Sequence, residues 1–202
     1  EFTAELGLLP LLGIAAGITI IYGSVRALSQ DNLKKRLAFS TVSQVSYIAL
    51  GTAILGPLAT IGGVVHLVHQ GVMKITLFFA AGNYAEELGI HRVSEMNGVG
   101  RRMPLTTLAF TVGALGMIGI PPVAGFVSKW YLGLGAIEAG LAAWVMPVLI
   151  ASSLLNAAYF MPIVYAAFFK PEDEGHGHAA HGEAPLPIVL ALSATALFTL
   201  LI

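Results

Sequence analysis

The chain contains no cysteine and is poor in charge. Without cysteine there are no disulfides, no thiolate catalysis, no iron–sulfur ligation and no cysteine-ligated zinc. Charged residues make up 10% of the 202 positions, where a soluble domain carries roughly 25%. That deficit excludes an ordinary water-solvated surface and points to a membrane. The net charge is −1 and no basic cluster is interleaved with aromatics, so nucleic-acid binding has no footing. An initiator methionine and a cleavable signal peptide are also missing. The sequence starts abruptly at Glu1-Phe2-Thr3-Ala4 and stops at Leu200-Leu201-Ile202 within an apolar run. It reads as a segment of a longer polypeptide.

In place of charge there are long apolar runs, with hydrophobic residues at 56%. A membrane-spanning helix needs about 20 such residues. Six runs qualify: 6–28, 37–55, 59–84, 105–137, 141–169 and 186–202. The expected fold is therefore an all-α, polytopic membrane protein with about six transmembrane helices. The fourth run is too long for one straight span, and Pro121-Pro122 interrupts it. The fifth carries Pro147 and Pro162, which membrane helices tolerate.

Basic residues give the orientation. Arg26, Lys34, Lys35 and Arg36 lie at or near the first connection, Arg92, Arg101 and Arg102 in the third, and Lys170 in the fifth. The second and fourth connections carry none. The positive-inside rule assigns the odd-numbered connections to the cytoplasm. Only Lys74 and Lys129 remain, and both fall inside apolar runs. A lysine at the centre of a span costs about 2.5–3.5 kcal/mol on insertion scales, so each needs a reason.

On the third run, His66, Gln70 and Lys74 share a helical stripe about 80° wide, with His69 on its flank. Such a stack of titratable and hydrogen-bonding groups can pass protons through bridging water. Its alternative use is polar glue between helices. On the fourth run, Pro121 and Pro122 remove two backbone donors, and Gly119 and Gly125 beside them let the helix unwind. A helix broken inside a membrane exposes carbonyls and a new N-terminus, which suit ions. Lys129 follows that break by one to two turns; an interfacial anchor beside Trp130 and Tyr131 is its alternative role.

Ser40, Ser43, Gln44, Ser46 and Tyr47 could line a polar path or pack helices together. Ser152, Ser153, Asn156 and Tyr159 lean toward packing, and Glu138 toward an interfacial acid. His176, His178 and His181 lie in a glycine-rich loop that reads as a solvated connection, so no metal site is expected. Gly133-Leu134-Gly135 has no strand before it and is no dinucleotide fingerprint.

Three stretches carry a family resemblance: Lys35-Arg36-Leu37-Ala38-Phe39-Ser40-Thr41-Val42-Ser43-Gln44, His69 to Lys74 with Leu77-Phe78-Phe79-Ala80-Ala81-Gly82, and Gly119-Ile120-Pro121-Pro122 to Gly125-Phe126-Val127-Ser128-Lys129. They resemble the antiporter-like subunits of respiratory complex I (NADH:quinone oxidoreductase) and of Mrp sodium/proton antiporters. Ser152 to Phe160, with Pro162-Ile163-Val164-Tyr165, is most similar to the D-type subunit of the Mrp antiporters. The resemblance implies about fourteen helices built on two inverted five-helix repeats, of which this chain holds the second. Residues 1–169 would be that repeat, 170–184 a histidine- and acid-bearing loop, and 185–202 one further transmembrane helix. It also implies Lys129 as a proton acceptor and donor, Lys74 as part of a polar relay, and His66 and His69 at positions where members carry histidines. Gln70 departs from a branch with a third histidine there, and Lys129 from a branch with glutamate.

The expected function is translocation of protons, or of protons against sodium, across a prokaryotic plasma membrane. The expected partners are other membrane subunits and the lipid bilayer. No cofactor site belongs to the chain, and it is not catalytic by itself; redox chemistry would reside in other subunits. Two rivals stand beside this reading: a structural membrane subunit whose lysines pair with partner helices, and a secondary transporter for an organic anion.

Overall fold

A computed structural model describes residues 7–172 and 182–201. Among them the fold is all-helical, as the apolar runs predict. Helix α1 is Leu9–Leu28, α2 Leu33–Ile54 and α3 Pro57–Leu88. A short turn, α4 (Val99–Arg102), precedes α5 (Pro104–Ile118) and α6 (Ala124–Glu138). Helices α7 (Ala142–Phe169) and α8 (Leu186–Leu201) complete the chain. Helices α1, α2, α3 and α7 are long and apolar enough to cross a membrane.

The ends follow local chemistry more closely than hydropathy does. Helix α2 starts four residues before the apolar run because the Asn32 side chain accepts a hydrogen bond from Lys35 N at 2.9 Å and caps the first turn. Lys34, Lys35 and Arg36 therefore sit in its first turn. Helix α3 starts on Pro57 and ends on left-handed Gly89 (φ 67°). At 32 residues it is about 48 Å long, so its last turns, with exposed Glu86 and Glu87, run past a hydrocarbon core of about 30 Å.

The expected break is present. Helix α5 ends at Ile118, Gly119 adopts φ 85°, and α6 starts at Ala124. Each half has 15 residues, about 22 Å, and neither spans the hydrocarbon core alone. The two halves meet closely, since a Cβ on Gly125 would overlap the Gly116 carbonyl.

Helix α3 lies at the centre, against α2, α5, α6 and α8. Its close approach to α6 depends on Gly62, where a Cβ would stand 2.7 Å from Leu132 N; small residues of this kind bring membrane helices together. Outward faces are apolar, with Leu11, Ile14, Ile18, Val64 and Leu154 exposed.

The odd-numbered connections gather on one side. Val93 N donates to Asp31 O at 2.6 Å, and Leu33 N to His91 O at 2.9 Å. Ser94 donates from N and Oγ to the Asp31 carboxylate at 3.0 and 2.9 Å. Gly98 N reaches Ala166 O at 3.0 Å, and Arg102 pairs with Glu172 at 3.3 Å. The loop cations thus share one face, as the sequence count requires.

Candidate functional site

The break makes the site. In a continuous helix the Met117 and Ile118 carbonyls would receive the N–H groups of residues 121 and 122. Both are prolines and have none. The two carbonyls are free, and they form the negative end of α5. Lys129 Nζ donates to both, at 3.0 Å to Met117 O and 2.9 Å to Ile118 O. Its third donor goes to Ser153 Oγ at 3.0 Å, and the ammonium lies 5.6 Å from the centre of the Tyr47 ring. A buried cation is thereby accommodated by backbone dipoles and an aromatic face and, among the described residues, pairs with no carboxylate. A cavity of about 410 Å³ between α6 and α7, lined by Lys129, Ser153, Trp130, Met146 and Leu149, reaches this ammonium from the protein surface.

From the same Met117 carbonyl a run of hydrogen bonds leads to the second lysine. Asn156 Nδ2 donates to Met117 O at 2.8 Å, and the Tyr159 hydroxyl donates to Asn156 Oδ1 at 2.6 Å. Tyr159 and Ser40 share a hydrogen bond of 2.8 Å. Lys74 Nζ donates to Ser40 Oγ at 2.7 Å and to Leu37 O at 3.2 Å. The side chains of Ser40, Asn156 and Tyr159 are fully buried, and both lysines are buried.

A second polar cluster lies beside this run. His66 Nδ1 shares a hydrogen bond with Ser128 Oγ at 2.9 Å, and its ring packs on Tyr47 with centroids 4.8 Å apart. His66 Nε2, both amide atoms of Gln44, the Tyr47 hydroxyl, His69 Nδ1 and Gln70 Oε1 are buried without a hydrogen-bond partner in the protein. The Ser152 hydroxyl beside Tyr47, the Gln44 carbonyl beside His66 and the Ala124 carbonyl beside His69 stand close by without meeting hydrogen-bonding geometry. Buried polar atoms are costly when unpaired, and water is their usual partner.

Residues 4–165 match the family described as NADH:quinone oxidoreductase/Mrp antiporter, transmembrane. The chain belongs to this family. Over 180 residues it is 44% identical to NADH-quinone oxidoreductase subunit N of Desulforudis audaxviator, covering 89% of this chain and 35% of that protein. It is 31% identical over 188 residues to F(420)H(2) dehydrogenase subunit N of Methanosarcina mazei, covering 89% and 37%. The chain thus spans about a third of the curated relatives it matches. Among solved structures it resembles a chain of the Mrp complex from Dietzia sp., with TM-score 0.86, 25% identity, and 95% of this chain and 43% of that chain covered. The fold also matches a chain of respiratory complex I from Thermus thermophilus, with TM-score 0.84. These likenesses and the apolar helices make the chain an integral membrane protein.

In this family member the lysines, both histidines and Gln70 are all buried on the elements where the stripe and the break put them. The direct hydrogen-bonded run between the lysines passes through Ser40, Tyr159 and Asn156 and does not include His66. Ser43 donates to Ile20 O at 2.8 Å and bonds Ser24 Oγ at 2.9 Å, which ties α2 to α1. Asn156, Tyr159 and Ser153, read as packing groups, contact the lysine system directly. Counting back four residues from each proline would have identified Met117 and Ile118. Among the described residues no cluster of histidine, aspartate and glutamate could hold a metal. The loop with His176, His178 and His181 lies outside the described residues.

Proposed function

We propose that the chain is the second repeat, with one further helix, of an antiporter-like subunit in a complex I- or Mrp-type assembly. It carries protons between Lys129 and Lys74, with His66, His69 and Gln70 lining the polar route. The observation that carries this reading is the seat of Lys129: a buried amine on carbonyls freed by Pro121 and Pro122, with a second buried lysine, Lys74, on the adjoining helix α3. A cation stabilised by dipoles can lose its proton and leave no unpaired carboxylate behind. The rival in which Lys129 pairs with a partner helix is weakened, because its three donors are already engaged within the chain.

The test is Lys129→Ala in the full-length subunit, with proton uptake measured in sealed vesicles holding the assembled complex. Uptake is expected to fall to near background. Lys129→Arg is not expected to rescue it, because arginine stays protonated and cannot cycle. Wild-type uptake in the alanine variant would leave Lys129 as an anchor. Running the assay with and without sodium decides whether sodium is exchanged.

The basic residues further support cytoplasmic odd-numbered connections in a prokaryotic plasma membrane. Absence of native cysteine in this chain simplifies the check. A cysteine at Ser94 is expected to resist impermeant maleimide in intact cells, and labelling there would invert the topology.

A further inference from the structure

The bonds between the lysines have a fixed direction, and the direction matters. Asn156 Nδ2 donates to Met117 O, so Oδ1 faces Tyr159. An amide oxygen carries no hydrogen, so the Tyr159 hydroxyl must donate to it. That uses the only hydrogen on Tyr159. Ser40 must then donate to Tyr159, and the Ser40 oxygen accepts from Lys74. Every link from Lys74 points toward Asn156. On the other side, Asn156 and Lys129 both donate to one oxygen, that of Met117.

Such a run does not carry a proton from one lysine to the other. A proton handed along from Lys74 would arrive on an amide oxygen, a base too weak to hold it. Beyond Asn156 stands a carbonyl with no exchangeable hydrogen, approached by two donors. The run is nevertheless held firmly. Arg36 Nη1 donates to the Tyr159 carbonyl at 2.9 Å, while its other nitrogens donate to Gln30 O at 2.9 Å and Leu28 O at 3.2 Å. Pro162 leaves the neighbouring Ala158 carbonyl without a helical donor.

We infer that Ser40, Tyr159 and Asn156 form a one-way hydrogen-bonded strut that positions Lys74 and Lys129 and bars direct proton passage between them. The proton must then take the route past Gln44, Tyr47 and His66, where the polar atoms are free to bind water. Exchange between the lysines follows the filling of that route, so the strut prevents a standing short circuit. This rests on the reading of the two lysines as proton carriers.

The test uses the assembled complex with the full-length subunit in liposomes, with driven proton uptake and passive proton leak measured separately. Asn156→Asp introduces a carboxyl beside the Met117 oxygen that Lys129 also bonds, so a proton accepted on one oxygen can be released from the other to the amine without crossing the carbonyl. It is expected to raise passive leak severalfold over wild type. Tyr159→Phe, which keeps the ring and removes both strut bonds, is expected to lower driven uptake roughly two- to tenfold, because the lysines remain but are less firmly positioned, with leak unchanged. A Tyr159→Phe complex as inactive as Lys129→Ala would make the run a conducting wire and overturn the inference. So would wild-type uptake in that variant, or an assembled Asn156→Asp complex with no added leak. Wild-type uptake in Lys129→Ala would instead defeat the reading of the site, whatever the leak.

Discussion

Two polar regions lie side by side in the interior and satisfy their hydrogen bonds differently. In the strut, Lys74, Ser40, Tyr159, Asn156 and Lys129 are bonded to one another or to backbone carbonyls. In the neighbouring cluster, Gln44, Tyr47, His66, His69 and Gln70 each bury at least one polar atom that the protein does not bond. The difference teaches what each region can do. A network closed on itself has one arrangement and holds distances. A cluster with unused donors and acceptors can take up water and release it, and it can reorder as a lysine gains or loses charge.

Stability measurements on paired variants sharpen this contrast. Asn156→Leu leaves the Tyr159 hydroxyl without its acceptor in a buried site and should destabilise the subunit by about 1–3 kcal/mol. Gln44→Leu removes amide atoms that have no partner in the protein and should change stability by less than about 1 kcal/mol. Thermal unfolding of the two variants in the same detergent compares them directly. Equal losses would break the distinction between a closed network and an open cluster.

Much of the fold was legible because membrane spans are written in composition and length. The break was legible because paired prolines between glycines have few other uses in an apolar run. The lysines stood out by their cost. Other features were hidden for physical reasons. Asn156 and Tyr159 are ordinary polar residues in an apolar helix, and their role depends on α7 meeting the end of α5 across 39 residues of chain. Arg36 follows two exposed lysines in a basic stretch, yet only it turns inward to clamp three carbonyls. Glu183 gave no signal at all. Its carboxylate accepts from Leu105 N and from Thr106 N and Oγ1, which caps α5 from a loop far along the chain and fixes the outer end of the broken helix.

The contrast between the two regions is tested most directly by a high-resolution structure of the parent complex in which ordered water is visible. The expected result is water within hydrogen-bond distance of His66 Nε2, the Gln44 amide and the Tyr47 hydroxyl, with none inserted between Lys74, Ser40, Tyr159 and Asn156. A dry cluster, or water bridging any link of that run, would contradict the account.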